Sequence, residues 1–206
     1  MTILEIALPN LKKDTAVVKQ AVEEVIPVLK PLFIQHGVLA NLRGFIETED
    51  GKDVRDQFRE ILLLEWPTTE HFQSLIQSSG FHGAMDIVKK YANGPPHLKL
   101  FEVTESLAAI FPEKAVAEYL MIKPKDEASK DRILEKLRPG LASLGTARAT
   151  VGPSANLDPV EIAVLGLYED QAELDAAKKS SERQSLLADI SVEATVTSLV
   201  APVSRD

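Results

Sequence analysis

Apolar residues recur along the chain in two rhythms. From Ile3 to Leu8 they suit a strand, whereas Val18, Ala21, Val22, Val25, Leu29, Leu32 and Phe33 return every three or four positions, the period of a helix face. Gly37 is placed to close that helix, and Pro27 and Pro31 should bend it. Val38 to Ile46 and Glu60 to Trp66 read as strands. Thr68 or Thr69 then caps a helix carrying Phe72, Leu75 and Ile76. Gly80 interrupts it, and Phe81, Ala84, Met85 and Val88 continue the apolar stripe. Leu98 to Val103 completes the order βαββαβ.

The remaining residues repeat this order. Ala117 to Ile122 reads as a strand; Leu134, Leu137, Leu141 and Leu144 mark a helix; Ala147 to Val151 and Glu161 to Tyr168 are strands. Ala172 to Leu187 forms the second helix and Ala194 to Val200 the last strand. Local matches support two homologous halves. Leu29-Lys30-Pro31 with Gly37 returns as Leu137-Arg138-Pro139 with Gly145, 108 residues on, and Trp66 aligns with Tyr168 at an offset of 102. The polar run Glu47 to Asp53, a solvated hairpin tip, accounts for the difference. The predicted fold class is α+β: two tandem ferredoxin-like βαββαβ repeats, residues 1–104 and 115–206, packed sheet to sheet as a pseudo-dimeric α+β barrel. The first is expected to bear the site and the second to serve as scaffold.

Composition narrows the chemistry. The 206 residues carry 31 acidic and 23 basic side chains, a net charge of −8, without a basic cluster. Nucleic acid and anionic membrane are therefore not expected partners. There is no cysteine, which removes thiol nucleophiles and thiolate metal sites. The N-terminus lacks the pattern of a signal peptide and no window approaches a membrane span, so a cytoplasmic protein is expected. Phosphate-loop, dinucleotide, zinc-protease and serine-hydrolase motifs are absent.

The segment Leu62-Leu63-Leu64-Glu65-Trp66-Pro67-Thr68-Thr69-Glu70-His71-Phe72 resembles the dimeric α+β barrel superfamily, in particular its antibiotic-biosynthesis-monooxygenase-like and stress-responsive A/B-barrel branches. The resemblance covers nearly the whole chain. It implies cofactor-independent oxygenation or cyclisation of aromatic or polyketide-like molecules, or haem degradation, or binding without assigned activity. The haem-degrading pattern is not met, because Leu75 and Met85 occupy the helix positions of its Trp and His and the first strand has no Asn. The plant-cyclase pattern is nearly met, with Leu75 and Phe81 at its Tyr and His positions and His82 one residue out of register.

Individual residues carry alternatives. His82 has the pKa range of a general acid or base, yet it stands off the apolar stripe and four residues before Asp86, as a solvated face would. Asn41 and Arg43 share one face of a strand, where they would either hold an enolate, phenolate or carboxylate or join the two halves. Trp66 either fills the core or walls a cavity with Phe81 and Met85, and Tyr91 ends that helix with a hydroxyl. Candidate catalytic residues are His82 and Arg43; candidate ligand contacts are Asn41, Trp66, Phe81, Met85 and Tyr91. No metal and no cofactor are expected. The expected partner is a small hydrophobic or aromatic ligand, with further homodimerisation left open. A cofactor-free monooxygenase or polyketide cyclase is the leading function; a non-catalytic carrier or stress-associated protein, or a purely structural module, is the alternative.

Overall fold

Alternation in the first strand sorts its side chains onto two faces. In β1 (Thr2–Leu8), Leu4 and Ile6 are wholly buried on one side, and Ile3, Glu5 and Ala7 look the other way. The computed structural model describes residues 2–110 and 112–205. Its first half continues with α1 (Thr15–Gln35), β2 (Ala40–Phe45), the hairpin β3 (Thr48–Glu49) and β4 (Lys52–Asp53), and β5 (Glu60–Trp66). Then come α2 (Thr69–Ile76), α3 (Ser79–Tyr91) and β6 (His97–Val103). A connection with the single-turn α4 (Leu107–Ile110) leads to β7 (Lys114–Pro124), α5 (Glu127–Gly140), β8 (Ala149–Pro153) and β9 (Ile162–Tyr168). The second half closes with α6 (Gln171–Lys179), α7 (Ser181–Ser191) and β10 (Ala194–Ser204).

Both halves have the ferredoxin-like strand order, β6-β1-β5-β2 and β10-β7-β9-β8, antiparallel throughout. The two sheets join where Ser204 of β10 faces Arg43 of β2. Their far edges are tied by a bridge between Phe101 and Ser154 and by the Ala155 N–H, which donates to the Leu100 carbonyl at 2.7 Å. The result is a nearly closed barrel, which leaves few strand edges unpaired. Its interior is a common core of Leu4, Ile6, Leu42, Leu63, Phe101 and Tyr119 with their neighbours. Helices cover the outer faces, over separate clusters built around Trp66 in the first half and around Ile133 and Leu137 in the second.

Two glycines show why the seams close. A Cβ on Gly44 would stand 1.9 Å from the Pro202 carbonyl oxygen, and one on Gly152 1.9 Å from that of Glu102. Each glycine lets an edge strand of its own half approach the last strand of the other. They are 108 residues apart, the spacing of the repeat.

Several local expectations are revised. Helix α2 stops before Ser78, whose hydroxyl accepts the Phe81 N–H at 3.1 Å and so starts α3; Gly80 lies within α3. A Cβ on Gly80 would meet Leu32 Cδ2 at 2.7 Å, so this glycine serves the close approach of α1 and α3. The predicted Ala172–Leu187 helix is two helices, because Ser180 ends α6 in extended geometry and caps α7 through the Arg183 N–H. The polar hairpin tip also pairs with the barrel: Thr48 and Glu49 face Val200 and Leu199 of β10.

Candidate functional site

The polar groups of interest lie on the helix-facing side of the first sheet. Strand register sets Glu5, Leu64 and Asn41 in one row and Ala7, Leu62 and Arg43 in the next. Since Leu4, Ile6 and Leu42 fill the barrel interior, these alternate residues face outward toward the helices. Asn41 and Arg43 thus lie on the cavity side of the sheet. Between this sheet and α1, α2 and α3 lies a cavity of about 100 Å³. Its walls are apolar, with Val25, Leu29, Phe33, Leu75, Phe81 and Met85 prominent. Its charged lining is confined to Glu5, Lys30, Arg43 and Glu60. Arg43 Nε lies 3.3 Å from Glu60 Oε1, a partly shielded ion pair at one end. A cleft bounded by Ile34, Val38, Leu39 and Arg205 shares Lys30, Phe33 and Asn41 with the cavity.

Glu5 is the residue that sequence reasoning missed. It is 4% exposed, and its Oε2 accepts the indole N–H of Trp66 at 2.8 Å. Among the described residues, that is its single hydrogen bond and it has no ion pair. Burial disfavours the carboxylate and lifts its pKa to about 7, a rise that the Trp66 bond only partly opposes. Trp66 itself is fully buried, edge-on to Phe33 and Phe72 at 6.5 and 6.0 Å. It holds Glu5 in place from behind and does not line the cavity.

The second half resolves the same problem differently. Glu5 faces Leu64 and Glu118 faces Gly166, positions 102 residues apart as are Trp66 and Tyr168. Glu118 is therefore the counterpart of Glu5. By the matching serine caps, Arg183 is the counterpart of Phe81. Arg183 is 2% exposed; it donates from Nη2 to Glu118 Oε2 at 2.6 Å and from Nη1 to the Tyr168 hydroxyl at 2.8 Å and the Leu144 carbonyl at 3.2 Å. Ser198 Oγ donates to Glu118 Oε1 at 3.0 Å. Ala149 and Val151, both buried, stand where the first half has Asn41 and Arg43. One half has a neutralised glutamate under an arginine; the other has a glutamate under a phenylalanine and a cavity.

Of the residues singled out by sequence, Asn41, Arg43, Phe81 and Met85 line the cavity together. His82 stands on the exposed face of α3, outside it. Tyr91 ends α3 away from the lining, and the Glu24 carboxylate near its hydroxyl keeps its pKa above the ordinary phenol value. Among the described residues no group of three or more His, Cys, Asp or Glu side chains could hold a metal ion, and no helix is long and apolar enough to cross a membrane. A sequence signal for Glu5 existed: both first strands, Ile3-Leu4-Glu5-Ile6 and Val116-Ala117-Glu118-Tyr119, carry a lone glutamate among apolar residues.

No protein-family model and no curated protein matches the chain. Solved structures do. A candidate monooxygenase from Fusobacterium nucleatum superposes with a TM-score of 0.67 at 14% identity, over 100% of this chain and 94% of that one. An anthrone oxidase-like protein gives 0.68 at 10% identity, over 99% and 92%. Chlorite dismutase from Candidatus Nitrospira defluvii gives 0.58 at 16% identity, over 98% and 91%. The fold these structures share, that of the dimeric α+β barrels, is carried here by a single chain.

Proposed function

We propose that the first-half cavity binds a small, largely apolar aromatic or polyketide-like molecule and that the protein oxygenates or cyclises it without a bound cofactor. The observation that carries this reading is the polar set Glu5, Asn41 and Arg43, with Lys30 and Glu60 the remaining charged groups, in walls made mainly of apolar side chains. Arg43 and the Asn41 amide would hold the oxygen of a phenolate or enolate, and the surrounding side chains would exclude water and strengthen that attraction. Dissolved dioxygen would be the second substrate for oxygenation. The likeness to a candidate monooxygenase and an anthrone oxidase-like protein agrees with this class of chemistry. The cavity volume is of the order that accepts a single benzene ring. One-ring phenols are therefore the first molecules to try, with two-ring phenols and anthrones after them.

The test follows the fluorescence of Trp66, which is bonded to a residue of the cavity lining, during titration with phenols and anthrones, and then oxygen consumption and product mass for whatever binds. Saturable quenching followed by turnover is expected. Arg43→Ala should lower turnover by about 100-fold, the usual cost of losing an oxyanion donor. A carrier function is the second reading, favoured by the cavity lining containing no histidine. It predicts tight binding and recovery of the ligand unchanged.

A further inference from the structure

We propose that Glu5 is the proton-exchanging group of the first-half cavity, and that the molecule bound there presents an acidic O–H or C–H to it. This rests on the reading that the cavity binds a small ligand. The two halves meet one structural problem with two solutions. A carboxylate on the helix-facing side of an apolar sheet is costly unless paired. The second half pairs it: Arg183 reaches Glu118 at 2.6 Å and occupies the space between sheet and helices. In the first half the same helix position is Phe81, and the space remains open beside Glu5. A purely structural acceptor for the Trp66 N–H would need no charge, and glutamine would do. What glutamate adds is a proton that can come and go.

The surroundings allow that exchange. Of the elements packed round the cavity, α1 contributes Lys30, β2 Arg43 and β5 Glu60; the lining from α2, α3 and β6 carries no charge. Arg43 is engaged with Glu60, and none of these groups pairs with Glu5. A buried carboxyl whose pKa is about 7 is ionised and neutral in comparable amounts near neutral pH, as a general base requires. In the step itself, the ligand's O–H or C–H bond breaks, its proton passes to the Glu5 carboxylate, and the electron pair stays on the ligand as a phenolate or carbanion. Arg43 and Asn41 lie two strands away on the same face, placed to hold the resulting negative charge. No oxidant is consumed in this step.

The test compares wild type with Glu5→Gln, which keeps an acceptor for Trp66 and loses the titration. Without ligand, the fluorescence of Trp66 is followed from about pH 5 to about pH 9. A transition centred at about 7 is expected in the wild type and absent in E5Q; whatever else changes with pH is common to both proteins and cancels in the comparison. Calorimetric titrations with 4-chlorophenol and with chlorobenzene are then made at about pH 6 and about pH 8. Phenol affinity should change by roughly tenfold between the two in the wild type and stay constant in E5Q, because a charged acceptor bonds the hydroxyl more strongly. If the fluorescence transition persists in E5Q, or both proteins show the same pH profile for the phenol, Glu5 is not the exchanging group, and the cavity reading survives. If neither probe binds the wild type saturably, the cavity reading fails and this inference with it.

Discussion

Glu5 has an energetic signature of its own. Its pKa rises from 4.5 to about 7 on folding, so between those values the folded state holds a proton that the unfolded state has released. Stability from this group therefore falls as pH rises through that window, and above it the buried carboxylate costs about 3 kcal/mol. Glu5→Gln removes the penalty. Urea unfolding of both proteins at about pH 5 and about pH 8 should show E5Q gaining on the wild type by about 3 kcal/mol at the higher pH. Equal slopes would mean that Glu5 is already ionised cheaply. At this scale the sequence exposed part of the site. Asn41 and Arg43 were legible as a same-face pair because strand alternation is strict, and Phe81 and Met85 because a helical stripe must face something. Glu5 escaped notice because a short strand with one charge looks like an ordinary edge. Only its partner across the sheet, Trp66, and the absence of an arginine above it give the residue meaning.

Elements are fixed by capping and by the closeness of neighbours, and these two are unequally legible. Strand β5 was readable residue for residue, since it runs apolar from Ile61 to Leu64 and ends at Trp66-Pro67. The break at Ser180 was not, because the residues on both sides suit a helix and a single serine hydroxyl decides between one helix and two. Gly80 was visible as a glycine, but its reason, a Leu32 methyl at 2.7 Å from where a Cβ would go, belongs to the packing of α1 on α3. The same holds for the seams. Gly44→Ala and Gly152→Ala would each push a methyl into a carbonyl of the facing strand and should each lower stability by about 1–3 kcal/mol or more. Gly83→Ala, at a helical position with open space around it, should instead raise stability by roughly 0.5–1 kcal/mol. Thermal unfolding of the three variants checks this. A harmless alanine at 44 or 152 would mean that the halves meet less closely than described.

The molecule as a whole is two ferredoxin-like halves that differ around one buried row. The repeat was readable from Pro31 and Pro139, Gly37 and Gly145, and Trp66 and Tyr168, and both glycines indeed take left-handed geometry, at φ +80° and +79°. Barrel closure was harder to read, because pairing across the seams joins residues of different halves far apart in sequence, Arg43 with Ser204 at one seam and Phe101 with Ser154 at the other. The structural asymmetry between the halves is harder still, since it lies in what Arg183 fills and Phe81 does not. Exchange at that single position gives the most direct test of the central claim that the first-half cavity is the binding site. Phe81→Arg copies the second half's solution into the first, placing a guanidinium over Glu5 and filling the cavity. Wild type and F81R, shown by circular dichroism to share one fold, would be titrated with 4-chlorophenol in a calorimeter. The account predicts saturable binding at one site in the wild type and at least roughly 100-fold weaker binding in F81R, as expected when a ligand's pocket is occupied. Undiminished affinity in a folded F81R would contradict it.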